Sequence, residues 1–225
     1  MKISAIAIAL IGAALGTFPS SSATAAQLFA APALPASSTT LPPRDECASD
    51  PSFAAFRTEL MDILVRRDAD RLIPIIAEDI EWSFGGDAGR ARFVESWGLA
   101  DPANSPLWTE LAGALMLGCA RQGGAMVAPY LYNHMPEGLD LFDSGVARAG
   151  ATLYSAPDVV SEGVPLAWSI LNSAEFVPGG WIRVDLADGR SGYLQEADFL
   201  SPADYRAFFE KRGGAWRLTV FIAGD

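Results

Sequence analysis

The feature that most constrains the fold is an alternating run followed by a tight turn, near the C-terminal end of the chain. Across residues 181–186, aliphatic side chains alternate with tryptophan, arginine and aspartate, which is the period of a half-buried β-strand. Asp188 and Gly189 follow. An Asp-Gly pair is a strong hairpin signal, because the tight primed turns need positive φ angles. Tyr193 and Leu194 continue the returning strand, so the segment predicts a β-hairpin.

The first 26 residues have the features of a secretory signal peptide. Lys2 precedes an apolar run over residues 3–15, and small alanines form an A-x-A-like cleavage site at residues 23–26. The apolar run is shorter than the stretch of about 20 residues that a spanning helix needs. We therefore expect a periplasmic or secreted protein without a membrane span.

The charge balance excludes two classes of partner. The chain has 16 Lys and Arg residues against 27 Asp and Glu, a net charge of −11. Removal of residues 1–26 would take away Lys2 and no acid, so the balance becomes 15 − 27 = −12. Such an acidic protein is repelled by nucleic acid and by anionic membrane surfaces, and neither is expected as a partner.

Two cysteines, Cys47 and Cys119, are present. In an oxidising compartment the expected state is a disulfide between them, and the alternative is two buried free thiols. The two cysteines and the single histidine, His134, lack the close spacing of a metal site, so no metal and no cofactor are predicted.

Residues 27–46 are mostly Ala, Pro, Ser and Thr, and this composition predicts a disordered linker. Asp50 and Pro51 are typical of the first positions of a helix. The apolar residues from Phe53 to Leu64 then fall on one helical face. A second helix is predicted with Asp70 as its cap. Its apolar side would be formed by Leu72, Ile73, Ile75 and Ile76.

The middle of the chain predicts a strand, two helices and then a sheet. Residues 80–84 alternate as a strand does, and a glycine-rich turn follows at residues 85–89. Helices are predicted around Phe93 and Trp97, and from residue 106 to Gly118. Two strands are predicted at residues 119–121 and 125–132.

This order of elements over residues 51–132 resembles an NTF2-like (cystatin-like) α+β domain, to which we assign residues 47–145. Chains of that family usually end in long antiparallel strands. Here the corresponding pattern comes only at the C-terminus, where Trp216, Leu218, Val220 and Ile222 alternate. The resemblance therefore implies that residues 203–225 form a hairpin that returns to the first domain.

The intervening residues 146–202 resemble a bacterial SH3-like (SH3b) domain. VARAGATLYSAPD, from Val146 to Asp158, stands where that family has its first strand, and Ala151 replaces the usual proline of the Arg-Ala-Gly-Pro opening. The resemblance implies a small β-barrel, so the predicted fold class is α+β with an NTF2-like domain and an SH3-like barrel.

SH3-like barrels commonly bind peptides or glycans with aromatic and acidic residues between their loops. The resemblance thus implies a binding surface made of Tyr154, Asp158, Trp181 and Tyr193. The other interpretation is that Trp181 and Tyr193 fill or rim the small barrel, and it is favoured because aromatic residues dominate small cores.

A conical NTF2-like domain can also hold a pocket, and the residues to look for there are Trp82, Asp87, Tyr130, Tyr132 and His134. A lone histidine is more often a hydrogen-bonded loop residue than a base, and an aspartate among glycines is more often a turn residue. The acidic residues Glu78, Asp79, Glu81, Asp140 and Asp143 are expected on a solvated helix end and a loop.

No GxSxG, HExxH or P-loop motif occurs, so no catalytic residue is predicted. The sequence favours a non-enzymatic protein of the bacterial envelope that recognises an envelope protein, a peptide or peptidoglycan through its SH3-like part. The alternative is a small-molecule or catalytic pocket in the NTF2-like part.

Overall fold

The computed structural model describes residues 39–224, which form an α+β fold with two mostly antiparallel β-sheets. The predicted signal peptide and the first part of the predicted linker lie outside the described residues. The α-helices of these described residues are α1 Pro51–Arg66, α2 Ala69–Leu72, α3 Arg90–Ser96, α4 Leu107–Met116 and α5 Tyr130–His134.

The strands divide between the two sheets. The first sheet contains β1 Ile76–Glu81, β2 Ala120–Gln122, β3 Ala125–Ala128, β11 Arg206–Arg212 and β12 Ala215–Ile222. The second contains β4 Gly145–Ala147, β5 Thr152–Tyr154, β6 Gly163–Pro165, β7 Ser169–Val177, β8 Trp181–Leu186, β9 Ser191–Gln195 and β10 Phe199–Leu200.

Helix α1 begins as its sequence predicts. The carboxylate of Asp50 accepts hydrogen bonds from the backbone N–H groups of Ser52 and Phe53, at 2.8 and 3.2 Å. Pro51 occupies the first helical position, where no N–H is needed. The predicted apolar face is buried, and it packs on the first sheet through the side chains of Phe53, Leu60, Ile63 and Leu64.

The first sheet has the strand order β1-β12-β11-β3-β2. Strand β12 runs parallel to β1, and β11 runs antiparallel to β3. The C-terminal hairpin therefore lies in the middle of the sheet that contains the N-terminal strands. One face of the sheet packs on the helices, and the fully buried aromatic residues of this core are Phe53, Phe93, Phe209 and Phe221.

The second sheet has the order β10-β4-β7-β8-β9-β5-β6 and includes the predicted hairpin as β8 and β9. Gly189 in its turn has a φ of 87°. A closed barrel is not seen: β10 and β6 are the edges, and no pairing joins them within residues 39–224. Strand β10 has two residues and β6 has three exposed ones, so both edges offer few groups for closure.

Two predictions around the first sheet were wrong in detail. Helix α2 ends at Leu72, and a 3-10 turn that contains Pro74 leads directly into β1 at Ile76. Proline lacks the N–H that a helix interior needs, so the chain changes conformation there. The acidic residues 78–81 consequently lie on a strand. Likewise β3 ends before Pro129, and residues 130–134 form α5.

The predicted linker ends earlier than residue 46. Thr40 bridges to Ser169 of the second sheet, and the N–H of Leu41 donates to the carbonyl of Trp168 at 2.8 Å. Leu41 is 2% exposed, because it belongs to an apolar cluster that joins the two sheets. The other buried members of that cluster are Ala120, Tyr130, Leu131, Val146, Ile170 and Leu200.

The predicted disulfide is confirmed. Cys47 and Cys119 are bonded, fully buried, and have their Cα atoms 5.7 Å apart. The bond joins the turn before α1 to the start of β2. Around it, Cys119 donates its N–H to the carbonyl of Arg44, and Glu46 donates to the carbonyl of Cys119.

Reduction of the disulfide should lower the free energy of unfolding by about 4 kcal/mol, because the bond joins residues 72 positions apart. Urea unfolding of the oxidised protein and of a Cys47→Ser, Cys119→Ser variant measures the difference. An unchanged midpoint, or thiols that react with a label in unfolded and unreduced protein, would contradict the expectation.

Two glycines that precede Cys119 should have opposite effects on stability when they are replaced by alanine. A Cβ at Gly118, where φ is +84°, would lie 2.3 Å from the carbonyl oxygen of Arg44. Gly118→Ala should therefore destabilise the protein by more than about 1 kcal/mol. Gly113 lies inside α4, and a Cβ there meets nothing within 4 Å.

Gly113→Ala is thus the matched control, and it should stabilise the protein by about 0.5–1 kcal/mol because glycine is a poor helix former. Chemical denaturation of the two variants beside the parent protein checks both signs. Equal changes in the free energy of unfolding for the two substitutions would contradict this expectation.

Candidate functional site

Three aromatic side chains lie together on the outer face of the second sheet. Along β8, Ile182, Val184 and Leu186 are buried, so Trp181 and the other alternate residues point outward. Tyr193 of β9 lies opposite Arg183 and shares this outer face. Tyr154 of β5 lies directly opposite Tyr193. We call Tyr154, Trp181 and Tyr193 the aromatic face.

The three side chains of the aromatic face are half-buried, and the rings of Tyr154 and Trp181 are in contact. The ring centroids of Tyr154 and Trp181 are 5.3 Å apart, and the rings meet edge to face at 88°. Such an arrangement is favourable between aromatic rings and leaves part of each ring open to solvent. The fully buried cluster on the inner side of the sheet is aliphatic: Ala147, Ala151, Leu153, Leu166, Leu171, Ala174, Ile182, Val184, Leu186 and Leu194. The aromatic rings therefore do not fill the interior.

Polar groups surround the aromatic face. Asp185 accepts hydrogen bonds from the hydroxyls of Ser191 and Ser173, at 2.6 and 2.7 Å. These bonds, the one from Ser191 first, hold the pKa of the Asp185 carboxyl below its usual value, because they stabilise the charged form. Arg183 and Glu175 form an exposed ion pair at 3.9 Å. Stacking surfaces next to hydrogen-bonding groups suit a sugar or a peptide.

Asp158, the fourth residue predicted for this surface, lies in the loop between β5 and β6. Its carboxylate accepts a hydrogen bond from the N–H of Val160 at 3.1 Å, and its carbonyl accepts one from the hydroxyl of Ser161 at 2.8 Å. Within residues 39–224 the hydrogen bonds of Asp158 all stay within its own loop and do not reach the three aromatic residues. The side chain organises its own loop.

The five residues predicted for a pocket lie in different parts of the structure. Asp87 and Tyr132 line one cavity of about 460 Å³, on the face of the first sheet opposite α1 and α4. We call it the sheet cavity. Its other lining residues are Glu81, Ser83, Phe84, Gly86, Ala88, Arg206, Phe208, Val220 and Ile222.

Arg206 brings a positive charge to the wall of the sheet cavity. Its side chain is held by the carbonyls of Gly224 and Pro202, at 2.6 and 3.4 Å. The guanidinium carbon lies 4.9 Å from the centre of the Tyr132 ring and 5.9 Å from that of Phe84. This residue was not among the sequence-based candidates, because its neighbours come from four separate parts of the chain.

Tyr130 and His134 lie elsewhere, in the contact between the two sheets. Their rings are stacked with centroids 3.8 Å apart, and His134 is 3% exposed. Nδ1 of His134 lies 3.1 Å from the carbonyl oxygen of Tyr130. Nε2 lies 3.2 Å from Oε1 of Glu46, without the alignment of a hydrogen bond. Burial, and then the charge of Glu46, raise the pKa of Tyr130.

Trp82, the remaining candidate, is half-buried and packs against the core of the first sheet. The predicted set of five therefore does not form one site. His134 is the last residue of α5 and is stacked on Tyr130 inside the molecule, so it does not lie in a loop as predicted.

A second cavity, of about 570 Å³, opens between α4 and the second sheet, and we call it the junction cavity. Its lining residues are Glu110, Gly113, Ala114, Met116, Leu117, Pro129, Arg148, Trp168, Leu200, Ser201, Asp204, Tyr205 and Ala223. None of them was predicted from the sequence as a site residue, because no local pattern indicates that these segments meet.

The chain matches no protein-family model, no curated protein and no solved structure. Across residues 39–224 no helix is long and apolar enough to cross a membrane.

The hydrogen bonds to Asp185 give a pH-dependent expectation. Because the folded-state pKa is lowered, the stabilisation they provide is present at neutral pH and is lost as the pH falls through that pKa. In a Ser173→Ala, Ser191→Ala variant the carboxyl should titrate nearer its ordinary value. NMR titration of the side-chain carboxyl carbon measures this, and an unmoved midpoint would contradict it.

Proposed function

We propose that this is an exported, non-enzymatic protein of the bacterial envelope that recognises cell-wall glycan or peptide through the aromatic face. In this proposal the second sheet is an SH3-like module, and the first sheet with its helices is an NTF2-like scaffold. The observation that carries the proposal is the convergence of Tyr154, Trp181 and Tyr193 on an outer sheet surface, with each ring partly open to solvent.

The chemistry of this surface supports recognition of a sugar or a peptide. Aromatic rings offer apolar contact area to the faces of sugars or to peptide side chains, at low cost in conformational entropy. Asp185 and its serine partners beside the rings supply hydrogen bonds. The disulfide is compatible with the oxidising compartment in which such a polymer is found.

Trp181→Ala should weaken binding of the purified protein to isolated cell-wall sacculi about fivefold or more, as expected when a central aromatic contact is lost. The matched control is Phe176→Ala. Phe176 is 59% exposed on the same sheet, but it lies opposite Ile182 and therefore on the other face. Co-sedimentation with sacculi and pull-down from envelope extract measure the two variants against the parent.

Equal binding by the Trp181 and Phe176 variants would reject the aromatic face as the binding surface. Binding to extract proteins without binding to sacculi would assign the surface to a peptide or protein partner. A parent protein that binds neither would overturn the proposed function.

The sheet cavity supports the alternative function, a small-molecule site in the first sheet. The specific observation is the guanidinium of Arg206 against the ring of Tyr132 at the wall of a cavity of about 460 Å³. In that case Ala88→Trp, which places a large ring at the cavity wall, should abolish ligand binding, whereas Trp181→Ala should leave it unchanged.

A further inference from the structure

The junction cavity has the size and position of a small-molecule site. Ligand sites usually have volumes of about 300–1,000 Å³ and often lie where two structural units meet. This cavity has about 570 Å³. Helix α4, which packs on the first sheet, forms one wall, and Arg148, Trp168 and Leu200, in or next to strands of the second sheet, form another.

The wall formed by α4 is kept open by a glycine. Gly113 lies in the interior of the helix, where glycine is unfavourable, and a Cβ at this position would meet no atom within 4 Å. No close approach of backbone therefore requires a glycine. Its effect in the structure is to leave space in the cavity, next to Ala114 and Met116.

The opposite wall contains a backbone conformation that is rare for a large residue. Trp168 has a φ of 55°, in the left-handed region that bulky side chains seldom adopt. Its carbonyl accepts the hydrogen bond from Leu41, which holds it in place. Strained residues of this kind cluster at binding sites, where the surrounding structure maintains them.

The charged groups of the cavity indicate what it would bind. Two carboxylates, Glu110 and Asp204, line it together with one exposed guanidinium, that of Arg148. Burial raises the pKa of Asp204, although a hydrogen bond from Ser201 and the charge of Arg206 act in the opposite direction. The residue as a whole is nevertheless exposed, so its carboxylate keeps contact with water, and a bound cation would stabilise the charged form by Coulomb attraction.

Tyr205 adds a hydroxyl to the same wall. Burial raises its pKa, and the negative charge of Glu110 raises it further, so the phenol stays protonated and can donate a hydrogen bond. The apolar part of the lining comes from Met116, Leu117 and Trp168. The exposed, flexible side chain of Met116 can adapt to an apolar ligand.

We propose that the junction cavity binds a small amine with an apolar body. The ammonium group meets the carboxylates of Glu110 and Asp204, and the apolar body packs on Met116 and Trp168. This site shares no residue with the aromatic face or with the sheet cavity, so it is independent of the proposed function.

Titration of the purified protein with 2-phenylethylamine, followed by NMR and calorimetry, tests the proposal. The control ligand is 3-phenylpropionate, which has a similar body and the opposite charge. We expect saturable binding of the amine, and at least about tenfold weaker binding of the anion. Glu110→Gln and Asp204→Asn should each weaken binding of the amine about fivefold or more, whereas the exposed control Asp79→Asn should not.

Gly113→Leu should abolish binding, because its side chain would fill the space beside α4. If that variant does not fold, Glu110→Lys supplies the same test by reversing a charge at the wall. Trp181→Ala should bind the amine as the parent does, and a loss in that variant would assign binding to the aromatic face.

Absence of saturable binding at millimolar amine would overturn the proposal. It would be overturned equally by similar affinities for the amine and the anion, or by unchanged binding in a folded Gly113→Leu or Glu110→Lys variant.

Discussion

The packing of the C-terminal hairpin on the start of α1 is the contact on which the rest of the structure depends. The ring of Phe53 lies 5.6 Å from that of Phe209 and 5.0 Å from that of Trp216. Nε1 of Trp216 also donates a hydrogen bond to the hydroxyl of Ser52, 164 residues earlier. In the sequence, the strands of the second sheet come between β3 and β11, which are neighbours in the first sheet. The second sheet is therefore an insertion in the chain between two strands of the first. Both ends of the inserted segment are therefore anchored in one sheet, and the junction cavity lies beside this attachment.

The sequence was sufficient to predict those structural elements that depend only on residues close together in the chain. The cap at Asp50, the apolar face of α1 and the turn at Gly189 depend on neighbouring residues, and each occurs where its pattern stands. The bond between Cys47 and Cys119 was predicted because the sequence has only two cysteines and because an exported protein is expected in an oxidising compartment. The alternation of Trp216 and Leu218 likewise indicated a strand with one buried face, although it did not specify which strands would be its neighbours.

The sites depend on contacts that no local pattern reports. Residues 72–76 form a short apolar run, and periodicity does not distinguish a helix from a strand in so short a run. Here the helix ends before Pro74, and the strand begins at Ile76. Tyr132 reaches a cavity while Tyr130, two residues away on a short helix, stacks on His134 between the sheets. Which side of α5 faces which surface depends on where β11 lies. That position is determined by the distant contact with α1.

The segment before α1 explains why a disulfide is useful at this place. Residues 40–47 pair first with the second sheet at Ser169 and then with the first sheet at Cys119, where the covalent bond ends the segment. On the way, the N–H of Leu41 holds the carbonyl of Trp168, the residue with the unfavourable backbone conformation. The junction cavity has one wall from α4, which packs on the first sheet, and another from the second sheet, so its shape depends on the relative position of the two sheets. The disulfide and the cluster around Leu41 restrain that position, and they thereby maintain the strained residue at the cavity wall.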